Sequence, residues 1–167
     1  YQGKMDLWYG FACVALDMLN PDGIQCFIAQ NNWITSSGAS IMRNKILSEA
    51  KILSFVDFGD YKVFESAGIQ TMIYIIQNKK PENNYGVEYS LLKTQKIDST
   101  ELSQFLNFQI KNDYSEKYIF RLNPSQYFNK TINFNDSVIE KLLQKVEEKG
   151  AFKLDKKEIA QGIVAPQ

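Results

Sequence analysis

Ile24-Gln25-Cys26-Phe27-Ile28-Ala29 is a short apolar run of the kind that forms a buried strand, and the turn Asn20-Pro21-Asp22-Gly23 stands just ahead of it. Before that turn, Asp6 offers an N-cap. Leu7, Phe11, Val14, Ala15, Met18 and Leu19 then follow at helical spacing and mark one apolar face. After the strand, Thr35, Ser36 and Ser37 offer caps for a second helix, with Ile41, Ile46 and Leu47 as its inner face. Two more strands are predicted, near 51–58, rich in Ile, Leu, Phe and Val, and over Ile69-Gln70-Thr71-Met72-Ile73-Tyr74-Ile75-Ile76. Residues 1–80 therefore read helix, strand, helix, strand, strand. A helix crossing between strands favours parallel pairing, and the last two strands should be antiparallel neighbours. This is part of an α/β sheet without a Gly-x-Gly-x-x-Gly loop.

Lys79-Lys80-Pro81-Glu82-Asn83-Asn84 breaks the pattern and reads as a boundary. Beyond it, strands are expected near 87–92 and 118–122, with a short helix around Leu102, Phe105 and Ile110. Asn135-Asp136 can cap a last helix carrying Val138, Ile139, Leu142, Leu143 and Val146, which Gly150 ends. We therefore divide the chain into residues 1–80, a mixed connector over 81–150, and the start of a further domain over 151–167.

Composition narrows the chemistry. The chain has 167 residues, 44% of them hydrophobic, which is enough to build a core. Nineteen basic residues balance nineteen acidic ones, so no global field draws nucleic acid. Arg43 and Arg121 are the only arginines, which leaves few candidates for direct base reading in the major groove. Histidine is absent, which excludes His-based triads, and Cys13 and Cys26 cannot assemble a usual zinc site. Both cysteines are expected to be buried thiols. No apolar run is long enough for a membrane helix, so a cytoplasmic setting and no membrane partner are expected. The chain opens on Tyr1 and enters a helix within a few residues, which reads as a piece of a longer protein.

Several segments, in order, resemble one family. Gly3-Lys4-Met5-Asp6-Leu7, Phe11 and Leu19-Asn20-Pro21-Asp22-Gly23 resemble the stretch after the N-P-P-Y motif in DNA N6-adenine methyltransferases of type II and IIG restriction–modification enzymes. Phe27-Ile28-Ala29-Gln30-Asn31-Asn32-Trp33-Ile34 is similar to the family's F-I-x-P-x-x-W-L, with Gln30 where proline is usual. Met42-Arg43-Asn44-Lys45-Ile46-Leu47, Asp57-Phe58-Gly59, Lys62-Val63-Phe64 and Ile69-Gln70-Thr71-Met72-Ile73-Tyr74-Ile75-Ile76 continue the likeness. Near the end, Leu142 to Lys149 and Glu158 to Val164 resemble the entry to a target-recognition domain.

The resemblance implies the C-terminal half of a Rossmann-like methyltransferase sheet that uses S-adenosylmethionine. Its substrate would be double-stranded DNA with an adenine flipped from the stack. Phe64 matches the aromatic that packs on the flipped base; read from the residues alone, it is expected to close its loop on the core. Phe11 matches a position lining the pocket for the cofactor's adenine, and it also lies on the predicted core face of its helix. Lys4 and Asp6 read as helix-start residues and Trp33 as packing. Gln30-Asn31-Asn32 and the pairs Lys79-Lys80 and Lys156-Lys157 stand as possible DNA contacts or plain wet surface. The N-P-P-Y motif is not in the chain, so on its own it should be inactive and should bind the cofactor poorly. An exposed sheet edge and face should then either invite self-association or be covered by residues 81–150. The competing reading is a non-catalytic α/β interaction module that retains the scaffold.

Overall fold

The computed structural model describes residues 5–107, 113–134 and 137–150. Helix α1 (Leu7–Asp17) leads into β1 (Ile24–Gln30), two 3-10 turns (Asn31–Ile34 and Ser37–Ala39), α2 (Ser40–Glu49) and β2 (Lys51–Asp57). Then come β3 (Thr71–Gln77), β4 (Tyr85–Leu92), α3 (Ser99–Leu106), β5 (Ser115–Leu122) and the single turn α4 (Pro124–Tyr127). These belong to a unit spanning Tyr1–Phe134; a second unit, Asn135–Gln167, contains α5 (Ser137–Lys149). Helix α5 ends where Gly150 N–H donates to Val146 O at 2.8 Å. The expected cap at Asn135-Asp136, the helical residue Ile110, Lys4, Lys156-Lys157 and all of 151–167 lie outside the described residues.

One mixed sheet organises the first unit, in the order β1-β3-β2-β4-β5. Strand β3 runs antiparallel to both β1 and β2, as expected for the last two strands of the opening segment. The first two strands therefore point the same way but do not touch, because β3 lies between them. This is a mixed α/β sheet, as expected. It continues past residue 80: β4 pairs parallel with β2, and β5 antiparallel with β4. The turn ahead of β1 is pinned by Asn78. Its backbone exchanges hydrogen bonds with Asp22 and Gly23, and its amide donates to Leu19 O at 2.8 Å. Asp22 takes φ +61° there, a left-handed conformation that aspartate tolerates.

One face of the sheet carries the main core. Trp33, Phe55, Tyr74, Met42, Ile46 and Ile76 are buried on it, with Trp33 and Tyr74 ring centroids 5.0 Å apart. Trp33 is thus the packing residue its sequence context suggested. Arg43 is also buried and binds backbone, not a carboxylate: it donates to Trp33 O (2.6 Å), Ser36 O (2.8 Å) and Lys130 O (2.9 Å). On the other face a smaller cluster of Val56, Phe58, Leu92 and Phe105 packs α3 against the carboxyl end of the sheet. Helix α3 starts at a capping box, Asp98 with Glu101, which the sequence reading missed.

Four expectations need correction. Helix α1 buries Tyr9, Ala12 and Leu16, whereas Leu7, Phe11, Val14 and Met18 of the predicted inner face are 55–79% exposed. Ala12 lies at the contact, where Gln25 Nε2 of β1 donates to its carbonyl at 3.2 Å, and the other stripe is left outside. Cys26 is exposed, not buried, because β1 is an edge strand whose far face, with Ile24 and Ile28, is open. Helix α2 begins at an Ala39 N-cap without a side-chain bond, since Ser37 is taken into a 3-10 turn. Ile41 faces outward, and Met42 takes the inner position beside Ile46 and Leu47.

Candidate functional site

Strands β1, β2 and β4 share a direction, so their carboxyl ends gather at one margin of the sheet, where open α/β sheets place ligands. A cleft of about 760 Å³ lies at that margin. Gln30, Asn31 and Asn32 reach it from the end of β1, Gly59 to Lys62 from the end of β2, and Gly68 to Gln70 from the approach to β3. Gln95 and Lys96, just beyond β4, complete it. Side-chain amides dominate the lining. Each presents a donor and an acceptor, as the edges of nucleobases do.

Asp57 anchors the floor. The residue is 7% exposed, and its carboxylate accepts from Gly59 N–H (2.9 Å), Tyr89 Oη (3.2 Å) and Asn31 Nδ2 (3.5 Å). Burial pushes the Tyr89 phenol up from its ordinary pKa, as does the neighbouring Asp57 carboxylate, so Tyr89 remains a donor. Gln70 Nε2 donates to Asp60 Oδ1 at 2.7 Å and ties together the two ends of the loop that joins β2 to β3. Phe58 N–H to Thr71 O, 3.1 Å, closes the same neck from below.

Phe64 rides on this loop, where Ala67 N–H donates to its carbonyl at 3.1 Å. Its side chain is 48% exposed and belongs to neither hydrophobic cluster. The structure thus brings Gln30-Asn31-Asn32 into the cleft and holds Phe64 on the loop that forms one of its walls. Phe11 is elsewhere, on the exposed stripe of α1. Lys79 and Lys80 stand at the far end of β3; Lys79 lies 4.0 Å from Asp22. Sequence reasoning did not single out Asp57, Asp60, Lys62, Gln70, Gln95 or Lys96. Three of them do fall in segments quoted for the family likeness: Asp57 in Asp57-Phe58-Gly59, Lys62 in Lys62-Val63-Phe64 and Gln70 in the run from Ile69 to Ile76. Among the described residues no group of acidic or cysteine side chains could hold a metal ion, and no helix is long and apolar enough to cross a membrane.

Gly59 sits where no side chain fits. Its φ is +52°, and a Cβ would fall 2.6 Å from the carbonyl oxygen of Leu92. Gly59→Ala should cost about 1–3 kcal/mol, from strained backbone and a displaced β4 end. Thermal unfolding should register a fall of roughly 2–4 °C per kcal/mol for a chain of this size. An unchanged midpoint would show that the loop base is soft.

Residues 1–64 match the Eco57I restriction-modification methylase family. Among solved structures, the M protein of the type I restriction enzyme EcoKI matches with a TM-score of 0.56 at 10% identity, over 86% of this chain and 43% of that one. The type IIG restriction endonuclease BpuSI matches with a TM-score of 0.55 at 11% identity, over 86% of this chain and 18% of that one. At such identities the likeness is one of fold, and this chain spans less than half the length of either protein.

Proposed function

We propose that this chain is the substrate-side half of a DNA methyltransferase domain from a restriction–modification system. The whole enzyme would transfer a methyl group from S-adenosylmethionine to adenine N6. One observation carries the reading: a loop with a half-exposed phenylalanine borders an amide-lined cleft at the carboxyl margin of a methyltransferase sheet. The family match over residues 1–64 supports the chemistry, and its last matched residue is Phe64.

In this reading Phe64 offers its ring to an adenine turned out of the duplex, which repays part of the unstacking cost. The cleft amides hold the strand beside that base. On α1, the exposed ring of Phe11 presents an apolar wall suited to the adenine of the cofactor. The cofactor, when bound, supplies the electrophilic methyl group. Nothing in the chain matches the N-P-P-Y motif, so the acceptors that orient N6 must come from outside these residues.

The test is product identity. A complete enzyme containing this segment, incubated with DNA and methyl-labelled S-adenosylmethionine, should yield labelled N6-methyladenine after digestion to nucleosides. Label in N4-methylcytosine would overturn the adenine assignment. DNA left unlabelled by a folded, cofactor-binding enzyme would favour the non-catalytic module.

A further inference from the structure

The cleft carries two cations that the methyl-transfer reading leaves without a task. Lys62 and Lys96 both line it, one from the loop after β2 and one from the segment after β4. Neither has an ion-pair partner among the described residues. Lys45, Lys51 and Lys93, by contrast, each meet a carboxylate: Lys45 with Asp17 and Glu49, Lys51 with Glu82, Lys93 with Glu116. The only acidic residue lining the cleft is Asp60, and its carboxylate already accepts from Gln70. Two lysine side chains thus line the cleft with no carboxylate in ion-pair contact among the described residues, beside Asp60 on its wall and the buried Asp57 beneath it.

Their positions follow from strand pairing. Strand β4 lies parallel to β2 with Asp57 opposite Leu91, so the residues just after each strand emerge at the same margin. The turn holding Lys96 is fixed by two bonds with Thr94: Lys96 N–H donates to Thr94 Oγ1 (3.2 Å), and that hydroxyl donates to Lys96 O (2.9 Å). The loop holding Lys62 is fixed at its neck by the Asp60–Gln70 bond. Lys62 also lies two positions before Phe64, so it travels with the ring proposed to meet the base.

We propose that Lys62 and Lys96 form a phosphodiester site of the DNA strand next to the extruded nucleotide. The inference rests on the function proposed above and adds a backbone contact to it. An extruded base drags its own sugar and flanking phosphates with it. A cleft that takes such a strand must neutralise phosphate where the duplex no longer spaces it regularly. Amides then satisfy sugar and base edges, and the two ammonium groups meet the charge.

Counterion release gives the test a number. The probe is a short fluorescein-labelled single-stranded oligodeoxyadenylate titrated into the chain by anisotropy at several salt concentrations. Each phosphate neutralised on a single strand contributes a slope of about −0.7 in log K against log salt. Lys62→Gln and Lys96→Gln should each flatten that slope by about 0.7, and the double variant by about 1.4. Lys79→Gln, at the opposite end of β3, should leave it unchanged. Phe64→Ala should weaken binding at every salt concentration without changing the slope. Slopes that Lys62→Gln and Lys96→Gln do not move overturn the site, as does an oligonucleotide that fails to bind. Neither result touches the methyl-transfer reading, which stands or falls on labelled N6-methyladenine. An enzyme that makes this product with slopes unmoved by the lysine variants would have lost the phosphate site alone.

Discussion

Under the proposed function, Phe64→Ala in the complete enzyme should lower base capture and methyl transfer by about tenfold to a hundredfold, from losing roughly 1–3 kcal/mol of stacking on the flipped adenine. Folding should be nearly unaffected, because the side chain is half-exposed and packs into neither core cluster. Phe64→Tyr and Phe64→Trp should retain most of the activity, since any base presents a π-face and either ring can meet it. A 2-aminopurine at the target position reports extrusion directly: its fluorescence should rise with the wild-type enzyme and stay low with Phe64→Ala. If the residue instead serves its loop, the pattern inverts. The melting temperature would fall, and whatever protein remained folded would flip the base normally. Unchanged flipping and unchanged turnover together would remove Phe64 from the site.

The strands that carry this loop were legible because continuous apolar runs bounded by turns have few other solutions. The run at 24–29 appears as Ile24–Gln30 and that at 51–58 as Lys51–Asp57; 69–76 moves slightly, to Thr71–Gln77. Periodicity could not say which stripe of α1 faces inward. Both are apolar, and the choice falls to tertiary packing, where Ala12 permits the closer approach. The same limit applied to Cys26. A continuous apolar run suggests cover on both faces, but whether the strand is central or at an edge depends on partners far away in sequence. The cleft was half legible. Gln30-Asn31-Asn32 and Phe64 lie in segments with a family pattern, whereas Lys96 enters only through the parallel pairing of β4 with β2, which no local spacing announces. Asp57 looked like part of a strand and proved to be the buried acceptor that joins β1, β4 and the loop.

Alone, the chain should show no measurable methyl transfer and no micromolar affinity for S-adenosylmethionine, the largest effect expected of it. In the proposed function Phe11 supplies one wall of a cofactor pocket, and a single wall would leave most of a ligand's surface in water. The same region should also drive association. Leu7, Phe11, Val14 and Met18 expose an apolar stripe on α1, and β1 beside it is an open edge. Edge strands are usually guarded by lysine, proline or a bulge, yet Ile24-Gln25-Cys26-Phe27-Ile28-Ala29-Gln30 has no charged residue and no proline, and its pairing with β3 is unbroken. Such a margin suits a further strand with helices on both faces, the place the proposed function gives to a cofactor-binding half. In sedimentation the isolated chain should associate increasingly with concentration, and Leu7→Lys with Met18→Lys should return it towards monomer. Supplying the complementary half should replace self-association by a one-to-one complex, in which cofactor binding appears. A chain that stays monomeric at high concentration and gains nothing from that half would mean that the α1 stripe and the β1 edge are tolerated surface, and Phe11 would then lose its claim on the cofactor.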